Sequence, residues 1–441
     1  MITVYFILAV LVVLAAGSSL RDKRSAIYGR LFAVLGLSYG LLVKPLFVAL
    51  DLPSEEFIQD NILSPLTATE YWNGSVLLLG CYALFVFAML MTTALLRHGR
   101  PPRNDGGVVR FSVGNAWLLT LVGLTGVAAF LAQNPDFLTG ASKNVLATED
   151  LSEYSGGGAS RLVISILYFM PFFMIANLGS GYRRDASRRL LWVSALAWVG
   201  FGFLSDQRGM IIFSLFSWFV MYRITVGPIP KKHLISATAV ALLMILVRTA
   251  MRLASGDGGA LAAADDIIGN YIGRNLVENG KTLIIIRSVP DRLEYAFGST
   301  YLDAVLILIP RSLLAAKATV NIDTIIGMGV FDCRFYGACG VPPGLIAESY
   351  FNFGIVGVLL MMPLCGWLTA WLDWKVTRGG SLQRILYAAS MVYFALSVLG
   401  SSIAAFATQF IMHIVILLIT YHAARVQRRR PAAVPAPGAL T

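Results

Sequence analysis

Charge is what this chain has least of. Only 13% of its 441 residues are charged while 57% are hydrophobic, and its mean hydropathy is +0.72. A soluble domain cannot dress its surface from so few charges, so the solvent for most of the chain is lipid. Histidine is scarce too: the four are His98, His233, His413 and His422. None falls in a connection on the extracytoplasmic side, which argues against a histidine relay or a histidine-rich zinc site there. Those connections also lack an Asp-x-Asp pair of the kind that holds a divalent cation against a diphosphate, so metal-independent chemistry without a cofactor is expected. No internal repeat is visible, and the net charge of +11 does not point to nucleic acid, because the cations sit in short clusters rather than along one soluble face.

What is abundant is apolar sequence. Runs extend over Ile2 to Ser18, Leu31 to Leu50, Gly74 to Leu96, Val113 to Leu131, Leu162 to Leu178, Leu190 to Leu204, Met210 to Val226, Leu234 to Ala250, Tyr350 to Trp371, Ile385 to Leu399 and Ile403 to Tyr421. A helical crossing needs roughly 20 mostly apolar residues, because an unsatisfied backbone amide in lipid costs several kcal/mol. The expected fold is therefore an all-α polytopic integral membrane protein of about eleven transmembrane helices. The first run has no preceding basic residues and no small-residue cleavage site, and it reads as a retained helix.

The connections alternate in sign. Basic clusters occur at Arg21/Lys23/Arg24/Arg30, Arg97/Arg100/Arg103/Arg110, Arg183/Arg184/Arg188/Arg189, Arg223/Lys231/Lys232, Lys375/Arg378/Arg384 and Arg425/Arg428/Arg429/Arg430. All fall on one side of the alternation, where the acids are few: Asp22, Asp105, Asp185 and Asp373. Positive-inside bias makes that side cytoplasmic, leaving the N-terminus outside and the C-terminus inside. The expected division is an N-terminal bundle over residues 1–250, a large extracytoplasmic loop over 251–347, C-terminal helices over 348–422 and a disordered cytoplasmic tail over 423–441.

The loop, at about ninety residues, far exceeds what joins neighbouring helices, and long connections are usually functional or disordered. Its apolar stretches Thr282 to Ile286 and Tyr301 to Pro310 argue against disorder. They are too short to span and long enough for interfacial or re-entrant helices. Cys333 and Cys339, six apart in this loop, could close a small disulfide ring in an oxidising compartment; Cys81 and Cys365 lie within helices as small apolar residues.

An anionic substrate on this side would be met by Arg and Lys, Arg binding phosphate bidentately through its planar fork. Arg208 occupies the turn Ser205 to Gly209 at headgroup depth, where it is either a snorkelling cation paired with Asp206 or a working group. Arg248 lies within an apolar run, where charge is costly, and shares a helical face with Arg252. Arg274, Lys281, Arg287, Arg292, Arg311, Lys317 and Arg334 are balanced by loop acids, and for most of them a solvated face is the plain alternative. Pro310 to Lys317 differs: an apolar approach ends in Pro310 and presents Arg311 and Lys317 at the boundary. Glu348 sits at the mouth of the ninth run, either as a helix N-terminal acid or as a group facing a cavity. Asn352, one turn on, could orient a sugar hydroxyl or Glu348 itself.

The Arg208-Gly209 turn, the Pro310-Arg311 to Lys317 segment and the Gly344 to Gly354 stretch, with its Glu348-x-x-x-Asn352-Phe353-Gly354 core, resemble in order and spacing the Wzy-type O-antigen polymerases, or oligosaccharide repeat-unit polymerases. The resemblance extends to a many-helix bundle with one large periplasmic loop in the second half and implies a GT-C-like architecture. It implies transfer of a growing glycan from undecaprenyl diphosphate onto another lipid-linked repeat unit, at the periplasmic face of the bacterial inner membrane. In that chemistry Arg208, Arg311 and Lys317 would neutralise diphosphate, with Arg274, Arg287 and Arg248 as further binding candidates. Glu348 would be base or acceptor-positioning group, and Tyr350 and Asn352 would contact the sugar. The implied partners are the lipid-linked oligosaccharide, membrane lipid and a chain-length regulator protein, with no nucleic acid. Alternatives are an O-antigen ligase, whose relatives carry a functional loop histidine that is missing here, a flippase for the same lipid, and a scaffold of an assembly complex.

Overall fold

The computed structural model describes residues 1–21, 26–49, 66–97, 109–133, 157–204, 208–229, 278–306, 322–331, 341–376, 379–400 and 402–426. The predicted eighth run, 234–250, lies outside them. The chain is a multi-pass, all-α membrane protein. Six helices are long and apolar enough to cross a bilayer among the described residues, fewer than the expected eleven runs.

The helices are α1 (Ile2–Ser18), α2 (Tyr28–Ser38) carried through a π turn (Tyr39–Val43) into α3 (Lys44–Ala49), α4 (Ala68–Arg97), α5 (Val113–Gln133), α6 (Gly157–Ser180), α7 (Arg184–Leu204), α8 (Arg208–Thr225), α9 (Glu278–Ser288), α10 (Ser299–Leu306), α11 (Ile322–Phe331), α12 (Gly344–Val376), α13 (Ser381–Gly400) and α14 (Ile403–Ala424). Part of the difference lies in α7, whose first turns carry Arg184, Arg188 and Arg189 and leave too little apolar length.

Two sets of contacts define two opposite faces. At one, α2 begins where α12 ends and α13 begins: Arg30 Nε bonds Asp373 Oδ2 at 2.9 Å, and Tyr387 donates to the same carboxylate. On this face too, Asn177 near the end of α6 holds both backbone groups of Phe111, accepting from its N–H and donating to its C=O at 2.9 Å each. The Phe111 ring stacks on Phe173, 4.6 Å between centroids, and meets Tyr421 edge-on. At the other face, Tyr5 of α1 packs on Trp72 of α4, and Glu348 of α12 meets the first residue of α14. Among the described helices, α1, α4, α12 and α14 therefore start at one face and α2, α5 and α13 at the other.

Small residues bring the helices close. A Cβ at Gly366 of α12 would run into the Phe85 carbonyl of α4, and Cβ atoms at Gly123 and Gly126 would overlap Leu167 and Val163 of α6. Backbone approach of this kind is how helices gain contact where burial from water no longer drives association. His413 is enclosed in the bundle, stacked on Tyr168 at 5.3 Å and edge-on to Phe169 at 5.7 Å.

The long loop contributes α9 and α10, short helices where the sequence places short apolar stretches, and α11, which the sequence reading did not name. Ile284, Ile285 and Val289 join Ile322, Ile326 and Val330 with Ala347 and Phe351 of α12 in a second, smaller core on the Glu348 face.

Candidate functional site

The site is built on a break in α12. The sequence reads 350–371 as one apolar run, but Phe353 (φ −140°, ψ 18°) and Gly354 (φ 62°, ψ −150°) are not helical. Gly354 occupies a region that is essentially closed to side chains. The two halves fold tightly on each other, for a Cβ at Gly357 would strike the Ser349 carbonyl.

A helix break strands carbonyls, and here an extended piece of the loop takes them up. Ala296 N–H donates to Phe351 O and Phe297 N–H to Asn352 O, both at 3.0 Å. Gly298 N–H donates to Asn352 Oδ1 at 3.0 Å, and Asn352 Nδ2 donates to Thr300 Oγ1 and to the Glu348 carbonyl, both at 2.8 Å. Asn352 thus ties the loop to the broken helix and holds the main chain of Glu348 rather than its carboxylate. Phe297, forced to φ 46° by this docking, is 78% exposed.

Glu348 is fully buried. Its Oε2 accepts the backbone N–H of Ile403, the first residue of α14. The helix-terminus alternative read from the sequence is therefore realised across space: the carboxylate serves the amide end of a different helix, where negative charge is favoured. Around it lie Ser349, whose hydroxyl donates to Leu345 O at 2.7 Å, and Tyr301 of α10. Burial, with the Glu348 carboxylate beside it, pushes the Tyr301 hydroxyl well above its ordinary pKa. Ser402, which precedes α14, bonds the side chain of Asp323 on α11. Burial raises the Asp323 pKa, against the opposing pull of Ser402 and the Lys281 ammonium.

The other sequence candidates are placed as follows. Tyr350 is half-buried, its ring 6.2 Å from that of Tyr295. Arg287 forms an exposed ion pair with Glu70 at 3.3 Å; Glu70 in turn closes a capping box with Thr67, accepting from its N–H at 2.8 Å. This joins α9 to the start of α4 at the protein surface. Arg208 opens α8, and its side chain, like Asp206, is outside the described residues, as are Arg248, Arg274, Arg311, Lys317, Cys333 and Cys339. Of the proposed residues, the fold brings Glu348 and Asn352 together with Tyr350 on one broken helix, and sets Arg287 apart from them.

Three residues near this face escape the sequence reading. Tyr301 and Asp323 carry no motif, and only the fold brings Tyr301 to Glu348 and Asp323 to Ser402. Lys44 left a signal that the reading passed over, a cation followed by Pro45 inside the run Leu31 to Leu50. It is 4% exposed, directly after the π turn, with its ammonium 5.1 Å from the Tyr39 ring centre.

Comparison with protein-family models, with curated proteins and with solved structures gives no match for this chain.

Proposed function

We propose that this protein is a membrane glycosyltransferase of the oligosaccharide repeat-unit polymerase type, working at the periplasmic face of the bacterial inner membrane. One observation carries the reading: a fully buried carboxylate, Glu348, sits at the end of the bundle under the folded part of the long loop, held by a broken helix and by the amide end of α14. A buried carboxylate among apolar helices is costly to keep and is more often a working group than a surface charge is. The exposed cations Arg183, Arg184, Arg188 and Arg189 lie on the opposite face, which by charge bias is the cytoplasmic one.

In this reading, Glu348 takes the proton of the attacking sugar hydroxyl as its oxygen bonds to the anomeric carbon of the donor. The bond from that carbon to the undecaprenyl diphosphate breaks, and the departing anion is met by Arg208, Arg311 and Lys317. The lipid diphosphate supplies the activated leaving group, so no nucleotide sugar enters. The test is to incubate the purified protein with lipid-diphosphate-linked repeat units and resolve the products. A ladder is expected from the wild type, and only single units from Glu348→Gln and Arg311→Ala. A full ladder from both variants overturns the reading.

A lipid-linked oligosaccharide flippase is favoured by one observation, the discontinuity in α12, since transporters bind at broken helices. The carbonyls of Phe351 and Asn352 at this break are already bonded to the loop amides, which leaves them little to offer a cargo.

A further inference from the structure

Two polar atoms, one beside Glu348 and one beside Ser402, are unspent. The Tyr301 hydroxyl and Asp323 Oδ1 are buried and have no hydrogen-bond partner. Buried polar groups nearly always find partners, so each exception asks for an explanation. The Tyr301 hydroxyl lies next to Ser349 and Asn352, whose hydrogens are given to Leu345 O, Thr300 Oγ1 and the Glu348 carbonyl. The Thr300–Asn352 bond immediately before it fixes where Tyr301 stands, and the ring lies 6.4 Å from that of Phe353 at the helix break. Asp323 is fixed from the other side, its main-chain carbonyl accepting from Val341 N–H at 3.1 Å and its side chain meeting Ser402. Ser402 adjoins Ile403, whose amide holds Glu348. Tyr301, Glu348, the start of α14 and Asp323 thus form one continuous polar line.

The tyrosine hydroxyl can donate as well as accept, and the carboxylate oxygen accepts; a sugar hydroxyl, which does both, can serve the two together. We propose that Tyr301 and Asp323 flank Glu348 as a polyol-recognition pair, Tyr301 donating to and Asp323 accepting from hydroxyls of the acceptor sugar. This rests on the glycosyl-transfer reading and adds two binding residues to it. Each touches the sugar rather than the bond that breaks, so its loss weakens binding more than turnover.

The experiment uses the full-length protein, with undecaprenyl-diphosphate-linked repeat units purified from cells lacking it as the probe. Elongation rate is measured against probe concentration for the wild type, Tyr301→Phe, Asp323→Asn and Glu348→Gln, alongside thermal unfolding in detergent. Tyr301→Phe and Asp323→Asn keep shape and remove one polar function, and each is expected to raise the half-saturating concentration about fivefold, with a smaller change in maximal rate. Undiminished elongation by Glu348→Gln would sink the catalytic reading itself. An inactive Glu348→Gln beside two variants with unaltered half-saturation overturns this inference alone, the two atoms then being buried orphans whose removal only raises the unfolding temperature. A fall in maximal rate without a change in half-saturation also overturns it.

Discussion

Arg30 shows how a single residue can be misread from sequence. By sequence it is one more cation of a basic cluster, and Asp373 one of the few acids on that face. In the fold both are buried, at 1% and 0% exposure, and the pair is the centre of a network. Arg30 also donates to the carbonyls of Ser19 and Ala26 at 2.7 Å each, while the Gly29 amide reaches Asp373 at 2.9 Å. A buried pair adds little net stability, but removing one partner leaves the other charge stranded. Asp373→Asn is expected to cost about 3–5 kcal/mol, read as a lower unfolding temperature in detergent, with Arg30→Met/Asp373→Leu recovering most of it. Burial of this kind was not legible, because hydropathy counts charges without knowing which of them meet across the bundle. Asp323 makes a second case. Its folded pKa is raised, so the native state binds the proton more tightly, and its contribution to stability falls as pH rises from about 4 through the folded value. The stabilisation that Asp323→Asn brings is therefore expected to be larger at about pH 8 than at about pH 4, measured as the difference in unfolding temperature between variant and wild type.

Among elements, α12 is the instructive one. Its apolar length was legible and its interruption was not: Asn352-Phe353-Gly354 is short, and the loop residues that complete it, Ala296 to Thr300, lie some fifty positions upstream. Glycines at 354 and 357 were the available signal, the first for its backbone angles and the second for its contact with Ser349. Gly354→Ala forces a side chain into a region that only glycine enters freely and is expected to cost about 1–3 kcal/mol. The same change at Gly200, where a Cβ meets nothing within 4 Å, is expected to cost nothing measurable. Comparing the two unfolding temperatures separates strain at the break from a general effect of removing glycine. The short helices of the loop were readable as α9 and α10 because their apolar stretches are brief and bounded, but their docking on α12 required the fold.

For the molecule as a whole, the alternation of basic and acidic connections predicts two faces, and the contacts at Arg30 and at Glu348 lie on opposite ones. Which face meets which compartment is a matter for labelling. In a background where all four cysteines are replaced, Phe297→Cys is expected to react with a membrane-impermeant maleimide added to intact spheroplasts, and Arg188→Cys only after lysis. The reverse pattern would place Glu348 in the cytosol and remove the periplasmic reaction. The side chains of Arg208, Arg311 and Lys317 lie outside the described residues, so at this scale the carboxylate is the part of the proposed site that the fold locates.

The paired amides of Ala296 and Phe297 also bear on how anything could come to Glu348. Lifting the loop like a hatch would bare two carbonyls at the break, at about 1–3 kcal/mol each, and would release Asn352 as well. A route from the flank of the bundle, beneath the loop's eaves, would leave these bonds intact, whereas a hinged hatch would break them. Slow hydrogen exchange at those two amides, whether or not substrate is present, is the signature of such a route.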